Sequence, residues 1–179
     1  PSLHRQRLVE DTSPVINDHS TLDRHQSHSM WRKFSISTTE KLDYPDNGLH
    51  IYTDGSKTAA GTGLGLVIYH NGVEVDSYAK KLDGEASVYK AEMQAINLAA
   101  RVLIQRRLQG TEVVIFSDSL SSLVTLKSCK IKSSLAADTI WKLQTVARRN
   151  NVTLQWVRAH VGTSGNERAD ALAKRGTTI

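Results

Sequence analysis

Four acidic residues have spacings that could bring them into one site: Asp54, Glu92, Asp118 and Asp170. Each has an ordinary explanation when taken alone. A helical Glu is usually a solvated surface group, and Asp54 before Gly55-Ser56 reads as a turn former. Asp118-Ser119 reads as a helix cap, and Asp170 as the i,i+4 ion-pair partner of Lys174. The four together read differently. Asp54 and Asp118 end apolar runs, while Glu92 and Asp170 fall on core-facing sides of helical segments. Four carboxylates cannot share a site without strong mutual repulsion. Divalent cations cancel that repulsion, and ligation by oxygen alone points to a hard ion, Mg²⁺ or Mn²⁺. A pair of such ions about 3.5–4 Å apart suits phosphodiester hydrolysis, one activating a water and the other holding the leaving oxygen. Lys and Arg around such a centre would hold a phosphate backbone.

The elements that must position these groups begin at Leu49. Leu49–Asp54 reads as a strand ended by the turn signal Thr53-Asp54-Gly55-Ser56. Gly63–Tyr69 and Val73–Leu82 read as strands joined through His70-Asn71-Gly72, hence an antiparallel hairpin. Ser87–Arg107 has helical spacing, with Ser87 as N-cap and an apolar stripe of Val88, Ala91, Ala95, Leu98, Ala99 and Val102. Glu92 lies on the flank of that stripe, toward the sheet. Glu112–Ser117 is a short strand and Ser119–Lys127 a short helix. Ser134–Arg149 is an amphipathic helix through Leu135, Ile140, Trp141, Leu143 and Val146. Val152–Val157 is the fifth strand, and Glu167–Arg175 the last helix, stopped by Gly176. The order βββαβααβα predicts an α/β fold, a five-stranded mixed sheet with helices on its faces. With the first and fourth strands parallel neighbours, Asp54 and Asp118 emerge at one carboxyl edge.

Composition bounds the rest. The 179 residues carry 23 Lys/Arg against 18 Asp/Glu, a formal net charge of +5. Hydrophobic residues at 39% and charged residues at 23% exclude a disordered or fibrous chain. No apolar run approaches the roughly 18 residues of a membrane span. The single Cys129 excludes an internal disulfide and a Cys-based zinc cluster. No basic-then-apolar leader opens the chain, which points to an intracellular protein. The missing initiator Met points to a piece of a longer one. Residues 1–47 hold six Lys/Arg and seven Asp/Glu, while residues 48–179 hold 17 and 11. The first segment lacks a sustained apolar period. It reads as a polar linker or the tail of a preceding domain, poorly ordered, or with Trp31 and Phe34 docked on the domain that follows.

Four motifs in order carry a resemblance. They are Tyr52-Thr53-Asp54-Gly55-Ser56, Lys90-Ala91-Glu92, Phe116-Ser117-Asp118-Ser119 and the run from Trp156 to Asp170, with His160-x5-Asn166-x3-Asp170 its specific core. Over residues 49–176 the chain resembles the type 1 class of ribonucleases H. The resemblance implies a sheet of order 3-2-1-4-5 and two-metal cleavage of the RNA strand of RNA–DNA hybrids. Asp54, Glu92, Asp118 and Asp170 would be the metal ligands, with Glu92 also meeting the ribose 2′-OH beside the scissile phosphate. His160, on a loop made flexible by Gly162 and Gly165, would assist proton movement or product departure. Asn166 would orient groups near the metals, cap the last helix, or do both. Gly55, Ser56, Lys90 and Ser119 would join Glu92 in contacting substrate.

Ser87-Val88-Tyr89-Lys90-Ala91-Glu92 and Gly165-Asn166-Glu167-Arg168-Ala169-Asp170 look most like the ribonuclease H domains of non-LTR retrotransposons. That implies an upstream reverse transcriptase domain as partner, and nuclear access for an element that acts on chromosomal DNA. A free-standing cellular ribonuclease H acting on primers and R-loops is the alternative, and a non-catalytic binding module of the same fold a weaker one. Two departures from cellular forms stand out. Only Lys127, Lys130 and Lys132 fill the place of their basic helical handle, and Val88-Tyr89 replaces their Asn-Gln pair.

Overall fold

The computed structural model describes residues 33–41, 43–128, 130–159 and 162–179. In chain order the strands are Ser35–Ser37 (β1), Leu49–Thr58 (β2), Gly61–His70 (β3), Val73–Leu82 (β4), Glu112–Ser117 (β5) and Asn151–Trp156 (β6). The helices are Val88–Arg106 (α1), Leu120–Lys127 (α2), Ser134–Ala147 (α3) and Ser164–Gly176 (α4).

Side-chain alternation along β2 decides which elements it can carry. Leu49 and Ile51 are buried in the main apolar cluster with Ile96, Leu103, Ile115, Leu123, Leu143 and Leu154, so α1, α2 and α3 cover that face. Tyr52, the next residue, points the other way and packs with Val67, Ala169 and Leu172 beneath α4. The sheet order is β1-β6-β5-β2-β3-β4. β2, β3 and β4 are antiparallel, and β5 and β6 run parallel to β2 and to each other. The β3–β4 turn has both Asn71 and Gly72 at positive φ, 52° and 77°, as a two-residue Asn-Gly hairpin requires. Among the described residues no helix is long and apolar enough to cross a membrane.

The expected order 3-2-1-4-5 is present, with one strand added. Ser35–Ser37 pairs in parallel with Thr153–Gln155 on the outer edge of β6. Phe34 docks at 3% exposure, and the Tyr44 hydroxyl donates to the buried Gln155 Oε1 at 2.6 Å. Trp31 and Cys129 lie outside the described residues.

Three boundaries also differ from expectation. β2 does not end at Asp54 but runs to Thr58, because β3 continues to supply hydrogen bonds after β5 has stopped. α4 starts at Ser164, so Gly165 and Asn166 lie inside a helix rather than on a loop or at a cap. Gly165 is pressed so closely on the Tyr52 ring that a Cβ there would sit 2.4 Å from it. Gly176 is still helical, and Thr177 is the C-cap. Finally, Val88 of the expected stripe, the first residue of α1, is 44% exposed.

Candidate active site

Where β5 ends, a notch opens at the carboxyl edge of the parallel strands. The last β2–β5 pair is Thr53 with Ser117, clamped by Thr53 Oγ1 donating to the Phe116 carbonyl at 3.0 Å. Asp54 is the next residue of β2, and Asp118 the next after β5. Gly55 brings in the third acid. A Cβ at Gly55 would lie 2.6 Å from the Glu92 backbone nitrogen, so only glycine lets the first turns of α1 close on the strand. Ser87 caps that helix, accepting from the Lys90 N–H at 3.1 Å, which fixes the turn that leads into Glu92.

Asp54, Glu92 and Asp118 each offer an oxygen, and the three oxygens lie within 4.8 Å of one another. Asp54 is 5% and Glu92 7% exposed. Burial, and next the charge of Asp118, push the Asp54 carboxyl up to about 7. Burial, then the charges of Asp54 and Asp118, push Glu92 further, to about 10. The two also share a hydrogen bond that raises Glu92 and lowers Asp54, so Glu92 is the protonated donor of the pair. Without a cation the cluster therefore relieves its repulsion by holding a proton.

Two buried atoms in this region have no hydrogen-bond partner, Glu92 Oε2 and Asn166 Oδ1. Orphaned buried acceptors are costly. Oxygens left without a donor beside crowded carboxylates are the donor set that a hard divalent cation satisfies. The residues present thus fit such an ion.

Asp170 stands slightly apart. It lies outside the group of three, and its Oδ2 accepts from Lys174 Nζ at 2.7 Å. It is still close enough for its charge to raise the Asp54 carboxyl. Asn166 comes close to the group, its Nδ2 donating to Asp118 Oδ2 at 3.4 Å. Ser119 caps α2, accepting from the Ser122 N–H at 3.3 Å. Gly55 N–H donates to its neighbour Asp54 Oδ1 at 2.9 Å. Ser56 is half-buried and Lys90 exposed. His160 lies outside the described residues, on the connection between β6 and α4.

Two residues that set Asp118 escape the sequence reading. Ser117 Oγ accepts from the Ser119 N–H at 3.1 Å, and the Trp156 indole N–H donates to the Asp118 carbonyl at 3.3 Å. The Ser-x-x pattern around Asp118 carries a weak local signal for the first. The second joins residues 38 positions apart and has no local signal.

The family model for RNase H matches residues 46–178. A ribonuclease H of Paramagnetospirillum magneticum is 32% identical over 143 residues, covering 72% of this chain and 88% of its own length. One from Pseudomonas putida is 28% identical over 144 residues, covering 73% and 93%. The crystal structure of RNase H1 from the halophilic archaeon Halobacterium salinarum superposes with a TM-score of 0.58 at 20% identity, over 72% of this chain and 96% of that one. At that identity the structural likeness concerns the fold, and the sequence relatives carry the assignment. An α/β sheet of this order, an acidic notch at its carboxyl edge and these relatives agree: the chain belongs to the ribonuclease H family of hydrolytic enzymes.

Proposed function

We propose that the protein is a metal-dependent endonuclease that cuts the RNA strand of RNA–DNA hybrids. One observation carries this reading: three carboxylates from elements far apart in the chain meet within 4.8 Å, and one buried oxygen among them, Glu92 Oε2, has no partner. Asp54, Glu92, Asp118 and, at the rim, Asp170 would hold two Mg²⁺ ions, or Mn²⁺ in their place. Such ions, when bound, supply an activated water and offset the charge that builds on the leaving 3′ oxygen.

The chain's own residues do the rest. Glu92 would also accept from the ribose 2′-OH, the group that separates RNA from DNA. Asn166 holds Asp118 by one amide hydrogen, and its own buried Oδ1 is left without a partner. His160 would move a proton or speed product departure. Gly55, Ser56, Lys90 and Ser119 would border the substrate.

The test is incubation with a labelled RNA–DNA hybrid in Mg²⁺, Mn²⁺ or EDTA, beside an all-DNA duplex. Cleavage of the RNA strand with either metal, none in EDTA and none of the DNA duplex is the expected result. Equal cutting of the DNA duplex would sink the reading.

We place this activity in a retroelement, where residues 1–47 connect the nuclease to an upstream reverse transcriptase and template RNA is its substrate. The runs Ser87–Glu92 and Gly165–Asp170 support that, and nuclear access would follow from it. A second reading, a free-standing cellular enzyme acting on primers and R-loops, is favoured by the 88–93% of the bacterial enzymes' length that the chain spans. The coding sequence upstream of Pro1 separates the two: a polymerase domain there supports the first, and its absence supports the second.

A further inference from the structure

The Asp170–Lys174 ion pair puts a positive charge on the rim of the acid cluster. The two residues are one turn apart on α4, with Nζ 2.7 Å from Oδ2, and their side chains are 29% and 58% exposed, Asp170 and Lys174 respectively. The ammonium is stabilised first by its hydrogen bond to Asp170, and it also feels the charge of Asp54 across the notch. Arg168, on the same helix, is turned away to Glu74 at 2.9 Å, so Lys174 is the cation that serves Asp170.

We infer that Lys174 is a resident counter-ion that competes with a divalent cation for Asp170, and so sets the gap between the first and second metal-binding steps. The inference rests on the metal-dependent reading above. Its physics is simple. Asp54, Glu92 and Asp118 already form a compact group without Asp170, so a first ion can settle there with the ion pair intact. A second ion that needs Asp170 either displaces the ammonium from Oδ2 or binds the carboxylate beside that charge, and both cost affinity. Exposed ion pairs of this kind shift equilibria by about twofold to fivefold, which is the size of effect expected here. Lys174 thus acts as a positioning residue, through Asp170.

The experiment is calorimetric titration of the metal-freed full chain with MgCl₂, and separately MnCl₂, for wild type, Lys174→Arg, Lys174→Met and Lys174→Glu. Thermal unfolding in EDTA accompanies each. The expected order is graded by charge. The Arg variant matches wild type, the Met variant binds the weaker equivalent about twofold to fivefold more tightly, and the Glu variant binds it more tightly still. The stronger step moves less. A merely structural role for the helix pair would lower the unfolding temperature of the Met and Glu variants without that order in metal affinity. Wild type that binds metal while Met and Glu variants leave the weaker step unchanged overturns the inference. Wild type that binds neither metal overturns the metal-dependent reading itself, which is a separate result.

Discussion

At the scale of single residues, charge repulsion and burial decide what the acidic notch does. Asp118→Asn keeps the shape of the side chain and removes its charge. Cleavage should fall by at least about a hundredfold, more than the loss of a group that only orients a ligand, while circular dichroism and Tm show the fold intact. Retained Mg²⁺-dependent cutting would remove Asp118 from the ligand set. Linkage gives a second expectation. Asp54 and Glu92 both titrate above their usual 3.8 and 4.5, at about 7 and about 10, so the folded state holds protons that the unfolded chain releases. Their contribution to stability is complete below about pH 4 and is lost as pH rises through 7 and on toward 10. In EDTA, Glu92→Gln, a mimic of the protonated acid, should therefore gain Tm over wild type increasingly from pH 5 to 9. Saturating Mg²⁺ should erase the gain. A constant difference across that range would mean that the cluster does not hold the proton. The meeting of Asp54, Glu92 and Asp118 was legible from residue type and spacing, because two strand ends and a core-facing helical position converge on one sheet edge, whereas Asp170 stands outside that group, paired with Lys174. Ser117 and Trp156 were not legible, since what they do for Asp118 depends on contacts made only after folding.

At the scale of elements, close approach matters more than pattern. Asp-Gly-Ser is a turn signal and predicts an end of β2 at Asp54, but the glycine is there for packing. It lets α1 lie against the strand, and β3 keeps the strand extended. Gly55→Ala should cost about 1–3 kcal/mol, as overpacking does. It should also lower cleavage more than that loss of stability explains, because the clash is with the backbone of Glu92. Urea unfolding and initial rates on the same samples check this. A variant that is destabilised but fully active per folded molecule would show that α1 has room to shift without cost to the site. Helix periodicity was read well along α1 and less well along α3. Trp141 was expected in the core, yet it is 37% exposed, while Lys142 is 6% exposed and ion-paired with Asp138. Asn97 of α1 donates to the same Asp138 and to Thr139. A buried polar link between two helices is invisible to a hydrophobic count, because its members are identifiable only as partners.

At the scale of the whole molecule, the question is how a chain of modest charge, +5 overall, holds a polyanion next to a cluster of acids. The lysines that could do so follow directly from the site. α2 begins two residues after Asp118 and ends at Lys127, and the connection to α3 carries Lys130 and Lys132. Ile131 between them packs against the main core, so the alternating lysines on either side are exposed, as is Lys127. Among the described residues, Ile131 is the apolar anchor of this short basic edge. If it contacts phosphates, each lysine releases counter-ions on binding and contributes to the salt dependence of affinity. Replacing Lys127, Lys130 and Lys132 with Gln should then weaken hybrid binding at low salt. It should also make the slope of log K against log salt shallower by about 2–3, since each contact contributes about 0.7–0.9. The maximal rate at saturating hybrid should change little, because none of the three touches the carboxylates. Fluorescence anisotropy across a salt series, with single-turnover cleavage alongside, measures both. An unchanged slope would mean that the phosphates are held elsewhere on the fold, and a collapse of the saturated rate would mean that the connection shapes the notch itself.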